Sequence, residues 1–169
     1  MPIFSAENAF RRGLVELVDG EAAKAAECFQ SAILLEVQQG VRRPQMRYLS
    51  YYGLARAQAN GPTPQAIQAC ETAARRDFFN PDLLLNLGKV YLVAGKMTKA
   101  LATFQRGLEL APRHQALQAE FAKIDRREAP PLSLVNRSHP LNKMLGKLRS
   151  SLRMKTPKQV RGSRAVEPS

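Results

Sequence analysis

The chain has 169 residues with 26 Lys and Arg against 14 Asp and Glu, a net charge of +12, enough for one domain and a tail but cramped for two domains. With 44% hydrophobic and 24% charged residues and no Trp, it reads as a globular helical chain rather than an aromatic-rich β-sandwich. No window approaches a membrane span. Residues 1–12 lack the apolar stretch of a signal peptide, so a cytoplasmic location is expected, with Cys28 and Cys70 reduced.

Residues 6–39 place Gly13, Gly20, Ala25, Phe29 and Ala32 at intervals that recur further along the chain. Gly40 to Gln45 then form a short insertion, read as either an extension of the preceding helix or a loop. In residues 46–80 the corresponding positions carry Leu49, Gly53, Ala66, Cys70 and Ala73, with Pro62 and Pro64 lengthening the turn.

The pattern is clearest from Pro81 to His114. Leu84, Leu87, Gly88 and Tyr91 stand at i, i+3, i+4 and i+7, the spacing of one helical face. Gly95 breaks this helix, Ala100, Phe104, Gly107 and Leu108 continue on a second, and Pro112 ends the unit. Gly88 and Ala100 let the two helices approach closely. Leu117, Phe121 and Ile124 then repeat the helical spacing over residues 115–126.

These residues resemble a tetratricopeptide repeat, a helical hairpin whose consensus runs through Leu-Gly, Tyr, Ala, Phe, Ala and Pro with a period of roughly 34 residues. The third copy is nearly complete, with Gly107 in place of the usual Ala. The first departs most, carrying Arg12 and Glu16 in usually apolar slots. One hairpin cannot bury its apolar face alone, so three copies and a capping helix form the expected unit. The resemblance implies an all-α, right-handed superhelical array over residues 1–127, with repeats at 6–39, 46–80 and 81–114. Its concave face would be lined by the first helix of each hairpin.

Mapped onto this sequence, that face would comprise Phe10, Leu14, Leu17 and Val18, then Arg47, Ser50, Tyr51, Leu54 and Gln58, then Leu85, Asn86, Lys89 and Val93. Apolar groups mixed with basic and amide groups suit an extended peptide or amphipathic helix of a partner protein. The family's carboxylate clamp of Lys, Asn and Arg is not reproduced, because Phe10, Leu14, Tyr51 and Asp82 occupy its slots and only Asn86 fits. The resemblance thus implies a scaffold or adaptor. A secretion-type chaperone is the alternative, since bacterial translocator chaperones share the three-repeat layout but are usually acidic. The compact layout and the Arg/Ala/Leu-rich composition suggest a bacterial source.

Residues 128–169 hold nine of the basic residues and only Glu128 and Glu167. Within them, residues 139–154 read as a short helix with Leu141, Leu145, Leu148 and Leu152 on one stripe. Lys143, Lys147, Arg149 and Arg153 lie around it, and disordered chain is expected beyond. The stripe suits the chain's own surface, a partner or an anionic membrane face. Nucleic acid is a further salt-sensitive alternative through this basic segment.

Catalysis needs a nucleophile, base or metal assembled in a pocket. Cys70 occupies the slot that holds Phe104 in the third copy, which reads as buried packing. His114 and His139 flank prolines as turn or capping residues, and neither cysteine belongs to a CxxC pair. No enzyme, cofactor or metal is expected.

Overall fold

The structure, a computed structural model, describes residues 5–127. Those residues form seven α-helices: α1 Ala6–Val18, α2 Ala22–Gln38, α3 Met46–Asn60, α4 Pro64–Arg76, α5 Pro81–Val93, α6 Met97–Leu110 and α7 Gln115–Arg127. The reading of residues 139–154 as a basic helix, including Lys143, Lys147, Arg149 and Arg153, lies outside the described residues.

Local chemistry sets where each helix begins. Ser5 accepts a hydrogen bond from the Asn8 amide at 3.1 Å, Thr63 from Ala66 at 3.2 Å and Asn80 from Asp82 at 3.1 Å, each satisfying a first-turn donor that has no partner within the helix. Pro64 and Pro81 occupy the first turns of α4 and α5, where a missing N–H costs nothing. His114 caps α7, its Nδ1 accepting from the Leu117 amide at 3.3 Å.

The hairpin turns close on glycine. Gly20 and Gly95 have φ of 84° and 67°, the left-handed conformation that ends a helix cheaply only without a Cβ. Each turn carries the longer return bond of that geometry, Glu21 N to Glu16 O at 2.8 Å and Lys96 N to Tyr91 O at 2.9 Å.

Consecutive helices pack pairwise along the chain, and α3 also packs on α5. The interior repeats one contact three times. A methyl group on Gly13 would lie 2.6 Å from the Phe29 ring, and one on Gly53 would lie 2.6 Å from Cys70 Sγ. On Gly88 it would overlap the Phe104 ring. Each hairpin therefore closes where a glycine on its first helix receives a side chain from its second. Ala25, Ala66 and Ala100 are buried beside these contacts. Gly107 extends the scheme to α7, where a methyl would meet Leu117 at 2.8 Å. Leu117 and Ile124 are buried as the spacing of α7 requires.

The insertion is a loop. α2 ends at Gln38, Gly40 takes φ of 62°, and the chain runs without a helix to Gln45. Glu36, only 5% exposed, receives the Gln45 amide at 2.9 Å on one carboxylate oxygen and 3.3 Å on the other. A carboxylate accepting from a backbone N–H satisfies a charge that would be costly to bury alone. That bond fixes where α3 starts relative to α2.

Candidate functional site

The residues assigned to the concave face divide by burial. Phe10, Ser50, Leu54, Leu85 and Asn86 are buried, Asn86 to 2% exposure. Leu14, Leu17, Arg47, Tyr51 and Lys89 are half-buried, while Val18, Gln58 and Val93 are exposed. The buried group packs between helices, and the others keep solvent-accessible area.

Where α1 meets α3, four rings form one cluster. Phe10 lies 5.5 Å from Phe29, 4.9 Å from Tyr48 and 5.3 Å from Tyr51, the last edge-on at 83°. Tyr51 also touches Phe29 at 5.6 Å. Tilted and edge-on contacts set positive ring edges against negative faces, adding to the area these rings bury. Arg47 lies over Phe10 and Tyr48, 5.0 and 5.2 Å from their centroids.

Glu7 organises the rim of this cluster. It accepts from Arg47 at 2.6 Å, Tyr48 Oη at 3.0 Å and Arg11 Nε at 3.1 Å. Burial pushes its pKa up, but the bonds from Arg11 and Tyr48 and the charges of Arg47 and Arg11 outweigh that and hold it below the ordinary value of 4.5. Tyr48 is shifted upward, by burial first and then by donating to Glu7. Arg47 is thus held by an anion, two rings and one fixed geometry. Its Nε is buried without a hydrogen-bond partner among the described residues.

Between α3 and α5 the polar groups pair internally. Asn86 donates to Ser50 Oγ at 3.2 Å, and the Cys70 thiol donates to the Ser50 carbonyl at 3.2 Å. The partner a buried Asn requires is therefore the neighbouring hairpin. Burial pushes the Cys70 thiol up to about 12; since the thiolate is the nucleophilic form, this sulfur is inert at neutral pH. Burial also raises Tyr51, with the Asp82 charge adding to it.

Towards α7, Lys89 stands 3.9 Å from Glu120, and His114 Nε2 lies 3.0 Å from Asp82 Oδ1. With Nδ1 accepting from Leu117, Nε2 is the nitrogen that carries the proton to Asp82. On the opposite side of α5, Tyr91 donates to Glu71 at 2.6 Å, with Lys99 5.6 Å from its ring.

Among the described residues no group of three or more His, Cys, Asp or Glu side chains converges to hold a metal. No described helix is long and apolar enough to cross a membrane.

Sequence reasoning missed Glu7 as an organiser, Glu36 as a loop anchor and the arginines around the α2–α3 loop. For Glu36 a signal existed. It falls on the helical stripe of Ala25, Phe29 and Ala32, so a charge there implied a buried partner.

Helices stacked in sequential pairs, closed by a repeated glycine contact and capped by a seventh helix, define an α-helical repeat array. Residues 51–121 match the tetratricopeptide repeat family, and the seven described helices fit three such repeats and a capping helix. Its fold is similar to the TPR domain of Sgt2 from Aspergillus fumigatus, at 18% identity and a TM-score of 0.59, covering 82% of this chain and 93% of that one. It is also similar to the first TPR of Spaghetti (RPAP3) bound to the HSP90 peptide SRMEEVD, at 17% identity and a TM-score of 0.58, covering 75% and 94%. A third likeness is to PcrH in complex with the chaperone-binding region of PopB, at 21% identity and a TM-score of 0.55, covering 73% and 94%. Comparison with curated protein sequences gives no match.

Proposed function

We propose that this protein is a non-enzymatic interaction module that holds a peptide or amphipathic helix of a partner protein against the face formed by α1, α3 and α5. The observation that carries this reading is the surface those helices leave open. Leu14, Leu17, Tyr51, Lys89 and Val93 keep exposed area above a rigid floor of Phe10, Leu54, Leu85 and Asn86. Apolar contacts with a few fixed polar groups, on a preorganised base, bind a peptide without the cost of ordering the site.

The two solved relatives that hold peptides support the class of ligand and not its identity. The HSP90 peptide bound to Spaghetti, SRMEEVD, carries acidic residues at three of its last four positions. Here Asn86 is committed to Ser50, and Asp82 places a carboxylate beside His114. A site so arranged favours a ligand whose side chains, rather than its terminal carboxylate, make the contacts. PcrH in complex with PopB keeps a chaperone role as the second reading, and the cytoplasm is the compartment we assign.

The test is a photo-crosslinking amino acid at Leu17 or Val93 on this face and, as control, at exposed Ala102 on α6. Adducts to one partner from the first two positions and none from Ala102 support the reading. Equal adducts from all three overturn it.

A further inference from the structure

A second surface lies beside the α2–α3 loop. Arg42 and Arg43 on that loop, Arg47 on the first turn of α3 and Arg76 at the end of α4 line one open cleft of about 880 Å³, together with Asp77 and Asn80. Four guanidinium groups thus share a space with a single carboxylate. Asp77 accepts from Asn80 Nδ2 at 3.2 Å, and Arg47 is paired with Glu7. Arg42, Arg43 and Arg76 have no ion-pair partner among the described residues. α3 begins beside this cleft, but its Gln45 amide is already met by the Glu36 carboxylate, so the unpaired field in the cleft comes from the arginines. Uncompensated like charges repel, and that repulsion is relieved by an anionic occupant.

The chain itself supplies no such occupant. Residues 128–169 carry a net charge of +7, and a second copy brings +12. Phe78 and Phe79 adjoin the cleft in sequence, between Asp77 and Asn80. They are exposed, Phe79 to 71%, with ring centroids 4.2 Å apart and planes tilted by 40°. Rings packed on one another cover one face of each and share one continuous apolar ridge. An apolar side chain fits such a ridge, while forked guanidinium groups take carboxylates in two-bond geometry.

We infer that this cleft docks an acidic segment of a partner protein, its carboxylates on Arg42, Arg43 and Arg76 and a neighbouring apolar side chain against Phe78 and Phe79. This surface is separate from the concave face and shares only Arg47 with it. Its anchor is Glu36, whose bond to Gln45 fixes the end of the loop that carries Arg42 and Arg43.

The test uses the full chain and a fluorescein-labelled peptide, EELLEELL, followed by anisotropy at low salt. The combined variant R42S/R43S/R76S should weaken binding by about tenfold or more. The single reversal R43E, on an exposed loop position, should also weaken it, which keeps the test valid if the combined variant melts early. K143S/K147S/R149S/R153S in the tail and V93E on the concave face should each change affinity by less than about twofold. No peptide binding by the parent chain, unchanged binding by both cleft variants, or an equal loss in the tail variant overturns the proposal. A labelled eight-residue oligothymidine that binds more tightly than the peptide and is lost in the cleft variants overturns it in favour of nucleic acid.

Discussion

At Glu7, one side chain touches three donors from two helices, and the pH dependence of the fold follows from it. Its pKa is lower folded than unfolded, so its contribution is present above the ordinary value of 4.5 and disappears as pH falls through the folded value. Glu7→Gln should therefore lower the melting temperature at pH 7, and the gap from the parent chain should close as pH falls below that range. A gap that persists unchanged at pH 2 would mean that Glu7 acts through packing rather than charge. Gly88 tests a different force. Gly88→Leu places four carbons where Phe104 already sits, and overpacking of this kind costs about 1–3 kcal/mol or more. A thermal melt unchanged by the substitution would refute the glycine contact. Cys70, buried and with a strongly raised pKa, should resist thiol reagents at pH 8 and react at the rate at which the second hairpin opens.

At the scale of elements, regular spacing was legible and irregular connections were not. Gly88, Tyr91, Ala100 and Phe104 announced α5 and α6 because both helices bury one face, and burial writes a 3.6-residue period into the sequence. The first hairpin was readable despite Arg12 and Glu16, since Arg12 points to solvent and Glu16 is half-buried. For residues 40–45 the sequence permitted helix or loop, because the deciding contact joins Glu36 to Gln45 and has no periodic signature. Glu36→Ala removes that acceptor. It should raise hydrogen exchange at the Gln45 amide well before exchange rises within α5 or α6, while uniform acceleration across all helices would show that Glu36 supports the whole core. The face itself was partly legible. Position along each first helix offered candidates for it, but burial of Phe10, Leu54, Leu85 and Asn86 depends on how neighbouring hairpins cross, which no single helix encodes.

Across the described array, each helix depends mainly on its neighbours in the chain, so damage should spread by distance along the stack. Leu117 is fully buried where α7 meets α6. Leu117→Ala should cost about 2–5 kcal/mol, with hydrogen exchange rising first in α7 and α6 and last in α1 and α2. Simultaneous exchange of all seven helices would instead mean a single cooperative unit. The threefold recurrence of the glycine contact, at Gly13 with Phe29, Gly53 with Cys70 and Gly88 with Phe104, bears on how such a chain can change over time. Because each hairpin is shut by its own socket and stopper, the natural unit of gain or loss is a whole hairpin rather than a residue. The third, with Asn80 opening it and Pro112 closing it, is the copy best equipped to be duplicated, lengthening the stack by one step while leaving the joints on either side intact.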